Sequence, residues 1–110
     1  MESHEYETER ELIEQAMKSD EAREDLRLYV EPYVRDAIRG YLPKWQAPLE
    51  AEDYLVIAGM TPFDQALRLY VAHPEFDDKP DGYFPLYFIW WARRSAFSIF
   101  CKIAKREEKA

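Results

Sequence analysis

The chain has 110 residues, of which 47% are apolar and 34% are charged, and its formal net charge is −7. A chain of this length and composition can bury a core as one domain, which excludes wholesale disorder. Its one cysteine excludes an intramolecular disulfide, and no apolar run approaches the roughly 18 residues that a membrane helix needs. Because the first residues lack the basic and apolar regions of a signal peptide, we expect a cytoplasmic protein that does not enter a membrane.

The pattern of apolar residues predicts an all-α fold, a compact helical bundle. The chain has three glycines and seven prolines, and it has no run of alternating apolar and polar residues of the kind that forms strands. Residues 1–19 are predicted to form a charged N-terminal helix or extension, whose narrow apolar stripe packs at the edge or frays. Residues 20–110 are predicted to form the helical domain.

The further predicted helices run over residues 20–42, 49–59, 62–73 and 85–106. Asp20 is expected to cap the first of them, and Pro32 inside it predicts a kink or a helix start near Glu31. Residues 40–48 read as a connector because they hold a glycine and two prolines. Thr61 is predicted to cap the following helix, and Pro85 to open the last one.

No motif in the chain points to catalysis or to a bound metal. The acidic loop from Asp77 begins like a calcium loop, but its third and twelfth positions are Lys79 and Phe88, which cannot supply the required oxygen ligands. The two histidines, His4 and His73, have no partners at the spacing of a three-ligand site. Glycine-rich phosphate loops and nucleophile motifs are also missing. We therefore expect a protein that is not an enzyme and that needs no cofactor.

Charge is distributed unevenly along the chain. Residues 1–60 contain 7 Lys or Arg against 15 Asp or Glu, whereas residues 85–110 contain 6 against 2. A net negative charge argues against nucleic-acid binding, since a phosphate backbone needs local positive potential. The last predicted helix is locally basic, however, so the total charge does not exclude such a function.

That last helix also combines aromatic and arginine side chains. The side that can serve as core holds Phe88, Ala92, Ser95, Ala96, Ile99 and Ile103. A second stripe, which cannot be fully buried at the same time, holds Tyr87, Trp91, Arg94, Ser98 and Lys102. Either the tryptophans belong to the core and the arginines line a solvated face, or the rings stack on unpaired bases while the arginines contact phosphates. The residue pattern leaves both alternatives open.

Three stretches carry a family resemblance. Residues 83–97, "YFPLYFIWWARRSAF", resemble a short "FSTYA" turn followed by "xWWIRQAI". Residues 29–38, "YVEPYVRDAI", resemble the pattern Y-L-x-P-L-V-R-x-I-A. Residues 52–67, "EDYLVIAGMTPFDQAL", resemble D-L-I-Q-E-G-x-x-G-L-x-x-A with one extra residue. In this order they resemble region 2 of bacterial RNA polymerase sigma factors, over roughly residues 20–106.

The resemblance implies a module that docks on the clamp helices of the polymerase β′ subunit and binds the non-template strand of the −10 promoter element. The DNA-binding residues that it implies are Phe84, Tyr87, Trp90, Trp91, Arg93 and Arg94. In the family's manner, Phe84 and Tyr87 would hold a flipped adenine, the two tryptophans would brace the upstream edge of the bubble, and Arg93 would contact phosphate. The polymerase- or partner-binding residues that it implies are Asp53, Leu55, Ile57, Ala58 and Met60.

Several departures from the family pattern keep a rival interpretation open. Ile57 and Ala58 replace a polar Gln-Glu pair, Pro62 replaces a glycine, and no second helix-turn-helix domain for the −35 element follows. The chain could be a fragment, a one-domain initiation factor or a derived protein with a changed partner. The rival is a sigma-mimic interaction module that binds a protein, such as an anti-sigma-type protein, and has no DNA binding of its own. Exposure of Tyr87, Trp91 and Arg94 on one face would favour strand binding, whereas an exposed apolar patch at Ile57 would mark a protein interface and favour the rival.

Overall fold

The structure, a computed structural model, describes residues 6–73, 75 and 78–109. Every regular element in this part of the chain is a helix, which confirms the predicted all-α fold. The α-helices are α1 (Glu9–Ala16), α2 (Asp20–Trp45), α3 (Glu52–Met60), α4 (Phe63–Ala72) and α5 (Tyr83–Lys109), and a 3₁₀ turn (Leu49–Ala51) leads into α3. None of the described helices is both long and apolar enough to cross a membrane.

Helix α1 packs on α2 and contributes to the same core. Thr8 caps it, because the Thr8 hydroxyl accepts a hydrogen bond from the backbone N–H of Glu11 at 3.1 Å. Its apolar stripe of Leu12, Ile13 and Ala16 is buried. Of the two outcomes expected for this segment, packing and fraying, the described part packs; residues 1–5 of the predicted helix lie outside the described residues.

Helix α2 is longer and more regular than predicted. Ser19, not Asp20, is its N-cap, and the helix continues through Pro32 and Pro43 to Trp45. The predicted helix start near Glu31 is therefore wrong. The predicted connector, residues 40–48, is wrong over residues 40–45, which are helical. An internal proline removes one backbone hydrogen bond, and here the buried side chains along α2 keep the helix together across that gap.

The end of α2 is set by Gln46, which adopts a left-handed backbone conformation with φ of 59°. The backbone N–H of Ala47 donates to the carbonyl of Leu42 at 2.9 Å, and that of Gln46 donates to the carbonyl of Pro43 at 3.1 Å. This is the Schellman arrangement that satisfies the last carbonyls of a helix. It places Trp45 in the last turn of α2, beside α5.

Helices α3 and α5 approach each other closely at Gly59. A Cβ atom at this position would lie 3.2 Å from the Cβ and the carbonyl oxygen of Ala92, so the absence of a side chain permits the contact. Next to it, the Ser95 hydroxyl donates to the carbonyl of Ala58 at 2.8 Å. Thr61 donates to the same carbonyl at 2.8 Å, so it closes the end of α3 and does not cap α4 as predicted.

Candidate nucleic-acid and partner interfaces

The start of α5 is fixed by a carboxylate from α1. Glu9 is 8% exposed, and its Oε1 accepts a hydrogen bond from the backbone N–H of Phe84 at 2.9 Å. Its Oε2 accepts from the backbone N–H of Gly82 at 2.8 Å and from the Tyr29 hydroxyl at 2.6 Å. The first N–H groups of a helix have no partner within the helix and carry partial positive charge, which a carboxylate neutralises. Glu9 therefore sets where α5 begins, at Tyr83 and not at Pro85.

One further contact holds this arrangement in place. The backbone N–H of Glu9 donates to Oδ1 of Asp81 at 2.9 Å, so the segment before α5 also binds the first turn of α1. Burial and the hydrogen bond to Glu9 raise the pKa of Tyr29 well above its usual range, which keeps this hydroxyl protonated as a donor. Sequence reasoning missed Glu9, because one acid in a charged run carries no local signal of a partner more than 70 residues away.

The resemblance assigns a base-holding role to Phe84, but the structure places this residue in the core. Phe84 is fully buried, with the rings of Tyr70 and Phe63 at centroid distances of 4.9 and 6.2 Å. In this conformation its ring cannot contact a strand. Tyr87 and Trp91 are half-buried and pack against the same core, with Tyr87 at 5.0 Å from Tyr70. Of the predicted stripe, Arg94, Ser98 and Lys102 are therefore exposed, whereas the rings of Tyr87 and Trp91 are not fully on the surface.

The remaining predicted DNA-binding residues lie on an exposed side of α5. Trp90 is 67% exposed, and Phe97, seven residues or about two helical turns further along, is 44% exposed. The guanidinium carbon of Arg93 lies 5.7 Å from the Trp90 ring centroid and 5.6 Å from that of Tyr41. The residues that make up this surface, which we call the aromatic–arginine face, are Tyr41, Trp45, Trp90, Arg93, Arg94 and Phe97.

The two arginines of this face differ electrostatically from the arginines of α2. Arg35 and Arg39 both bind Glu52, with nitrogen–oxygen distances of 2.7 and 2.9 Å, so their charge is neutralised locally. No acidic group within the described part of the chain forms an ion pair with Arg93 or Arg94. The aromatic–arginine face therefore presents uncompensated positive charge beside exposed aromatic rings.

The Glu52 cluster joins α3 to α2. Hydrogen bonds from Arg39 and Arg35 lower the pKa of Glu52 to about 2. The bonds to Glu52 raise the pKa of Arg39, and the bonds to Asp53 and Glu52 raise that of Arg35. Arg35 also binds Asp53 at 2.7 Å. Asp53, which the resemblance places among the partner-binding residues, is thus on the surface with its carboxylate already paired.

The other residues predicted to bind a partner separate into two groups. Leu55, Ala58 and Met60 are buried, and they belong to the contact of α3 with the rest of the bundle. Ile57 is 69% exposed, and Leu28 of α2 is 57% exposed beside it. Together with Val56, Met60 and the charged residues Glu24, Arg27 and Glu31 they line a groove of about 180 Å³, which we call the Leu28–Ile57 groove.

Comparison of the chain with models of known protein families, with characterised proteins and with solved structures gave no significant match. The two surfaces described above are therefore the basis on which a function can be argued.

Proposed function

We propose that the chain is a sigma-region-2-like module of transcription initiation, which binds the non-template strand of the −10 promoter element while it is docked on RNA polymerase. The observation that supports this most directly is the aromatic–arginine face. It combines the two components that proteins use to bind single strands, which are open aromatic rings for stacking and cations for the backbone.

The exposure of Trp90 favours an unpaired strand over a duplex. Bases in a duplex stack on each other and offer no free π-face, whereas every unpaired base offers one, and stacking on an aromatic side chain is worth about 1–3 kcal/mol per base. Arg93 lies against the Trp90 ring, and its guanidinium nitrogens retain donors for a phosphate. In this proposal Trp90 stacks, Arg93 and Arg94 contact the backbone, and Tyr87 and Trp91 support the helix from its half-buried side.

Docking on polymerase is the second part of the proposal and uses the Leu28–Ile57 groove. Ile57 stands where the family has a polar residue, so the contact would be apolar, like that of a helix laid in a hydrophobic groove. Docking would also compensate for the net charge of −7, which repels free DNA and weakens its binding. A strand that is opened next to a docked module meets it at a high effective concentration, so that weak intrinsic affinity is sufficient.

The direct test is fluorescence anisotropy of a labelled −10 non-template oligonucleotide, with and without bacterial core polymerase. We expect Trp90→Ala to raise the Kd by roughly 5-fold to 100-fold, the equivalent of one lost stacking contact. Tyr33→Ala is the matched control, because Tyr33 is an exposed aromatic residue of α2 outside the face. Equal affinities for the −10 sequence and a scrambled sequence, or an unchanged Kd in Trp90→Ala, would contradict strand recognition.

The exposure of Ile57 favours a second candidate, a sigma-mimic module that binds a protein and no DNA. This candidate predicts that the chain binds core polymerase or an anti-sigma-type protein through the Leu28–Ile57 groove, and that Ile57→Lys abolishes this binding. It also predicts that the oligonucleotide does not bind even when polymerase is present. The anisotropy experiment in the presence of polymerase therefore separates the two candidates.

A further inference from the structure

Trp45 belongs to the aromatic–arginine face although no stretch of the resemblance includes it. It reaches α5 because α2 continues through Pro43 and stops only at Gln46. The Trp45 ring lies 5.2 Å from that of Phe97, with the two planes at 45°. Trp45, Phe97, Arg93 and Arg94 line a cleft of about 260 Å³. The cleft is thus built from two helices that the sequence separates by about fifty residues.

We infer that this cleft is a second base-stacking position, so that the face binds at least two bases of one strand, with Arg93 and Arg94 on the backbone between them. The inference rests on the proposed function, because it assumes that the same face binds a single strand. It assigns Trp45 and Phe97 as binding residues in addition to Trp90.

The neighbouring rings fix the orientation of Trp45, whose half-buried side chain packs against the core. Tyr41 stacks on Trp45 at 5.3 Å with planes only 7° apart, and Phe100 lies at 6.4 Å and 21°. These neighbours hold the ring in one orientation, so little side-chain freedom is lost when a flat ligand binds. The cleft volume is below the roughly 300–1,000 Å³ that is usual for drug-sized ligands, and it suits a group as small as one base.

Spacing and charge indicate how a strand would lie. Trp90 and Phe97 are seven residues apart, which is about 10 Å along a helix axis. Bases in a stacked strand rise by about 3.4 Å each, so one strand of about four nucleotides can place a base at both positions. Arg93 and Arg94 lie between the two rings along α5, and no acidic group of the described chain pairs with them. A cleft with two such cations suits an anionic strand better than an apolar protein segment.

The test uses two probes, a thymidine decamer (dT10) and the same backbone without bases, at about 50 mM salt. Trp45→Leu keeps apolar volume beside Tyr41 while removing the ring, and Phe97→Ala changes a more exposed residue with less risk to folding. We expect each variant to raise the Kd for dT10 at least about fivefold and to leave the Kd for the abasic decamer within about twofold. Tyr33→Ala is the control and leaves both unchanged.

A double-mutant cycle separates one stacking position from two. Trp45 and Phe97 form one position, so the double variant loses no more affinity than the more damaging of the two single variants. Trp45 and Trp90 belong to different positions, so their losses multiply. Arg94→Ala lowers the slope of log Kd against log salt by about 0.7 for both probes, as expected for one phosphate contact on a single strand.

The outcomes distinguish the inference from the function on which it rests. If wild-type protein binds dT10 and Trp90→Ala weakens binding, but Trp45→Leu and Phe97→Ala do not, the second position is refuted and strand binding stands. If wild-type protein binds neither dT10 nor, in the presence of core polymerase, the −10 oligonucleotide, both are refuted. If it binds only the −10 oligonucleotide on polymerase, the second position is refuted and strand binding stands. Equal weakening of dT10 and abasic binding by Trp45→Leu would show that the ring only supports the arginines. A loss of polymerase binding in Phe97→Ala, with dT10 binding intact, would make the cleft a protein contact.

Discussion

The contact between Glu9 and the start of α5 leads to a strong prediction about stability. Glu9→Ala removes a carboxylate that accepts three hydrogen bonds, at 2.9, 2.8 and 2.6 Å. The substitution leaves the backbone N–H groups of Gly82 and Phe84 without this acceptor. The side chain of Phe84 is fully buried in the core. The Glu9 side chain is not part of the apolar core, so the effect comes mainly from hydrogen bonding and charge.

The expected magnitude follows from the number and kind of these bonds. A hydrogen bond to a charged group contributes about 1.5–3 kcal/mol, and an unsatisfied buried donor is unfavourable by about 1–3 kcal/mol. Because the three bonds share one carboxylate and water can reach part of the site after truncation, they do not add fully. We expect Glu9→Ala to lower the free energy of unfolding by about 3–5 kcal/mol, a large part of the 5–15 kcal/mol typical of a small domain.

Urea denaturation followed by far-UV circular dichroism measures this effect. Glu14→Gln is the matched control, because Glu14 lies in the same helix but is exposed, and we expect it to stay within about 0.5 kcal/mol of wild type. Tyr29→Phe removes only the 2.6 Å bond and should lower stability by about 1.5–3 kcal/mol. If Glu9→Ala changed stability by less than about 1 kcal/mol, the reasoning that α1 fixes the start of α5 would be refuted.

The remaining predictions concern the contacts of α2 and α3. The folded-state pKa of Glu52 is about 2, below its ordinary 4.5, so its stabilising effect is complete above about pH 5 and is lost as the pH falls toward 2. Denaturation measured at several pH values should therefore show a difference in unfolding free energy between wild type and Glu52→Gln that shrinks as the pH is lowered over that range. Gly59→Val should destabilise by about 1–3 kcal/mol through overlap with Ala92, whereas Gly40→Ala, which meets nothing within 4 Å, should stabilise by about 0.5–1 kcal/mol in thermal or urea unfolding. Ile57→Lys should leave the unfolding free energy within about 0.5 kcal/mol while reducing polymerase binding in a pull-down assay, and a large loss of stability would show that the exposed side chain is structural.

Periodicity in the sequence predicted the helices and much of their buried faces, because apolar residues that recur every three or four positions lie on the buried side of a helix. It failed where a local rule competed with packing. Pro32 argued for a break in α2, but the buried residues on both sides of it keep the helix continuous. The spacing of Tyr41 and Trp45, four residues apart, was the one local sign that α2 extended through the predicted connector.

The candidate site was predictable only in part, for reasons that differ between residues. Trp90, Arg93 and Arg94 were named as DNA-binding residues only through the resemblance, because the residue pattern left open whether the tryptophans lie in the core. Phe84 and Trp45 could not be placed, because their positions depend on where two helices end. Glu9 sets the start of α5, and the left-handed backbone of Gln46 sets the end of α2. Neither feature can be read from the residue pattern of the helix that it limits.

The position of charges determines how the proposed strand binding should depend on salt. At physiological ionic strength, charges farther apart than about 8 Å are largely screened, so a strand on the aromatic–arginine face responds mainly to Arg93 and Arg94. At about 0.01 M salt the screening length grows to about 30 Å, and the acidic residues elsewhere also act on the strand. Lower salt therefore strengthens the arginine contacts and the long-range repulsion together. The two effects oppose each other, so the salt dependence of binding should be shallower than the number of phosphate contacts alone implies.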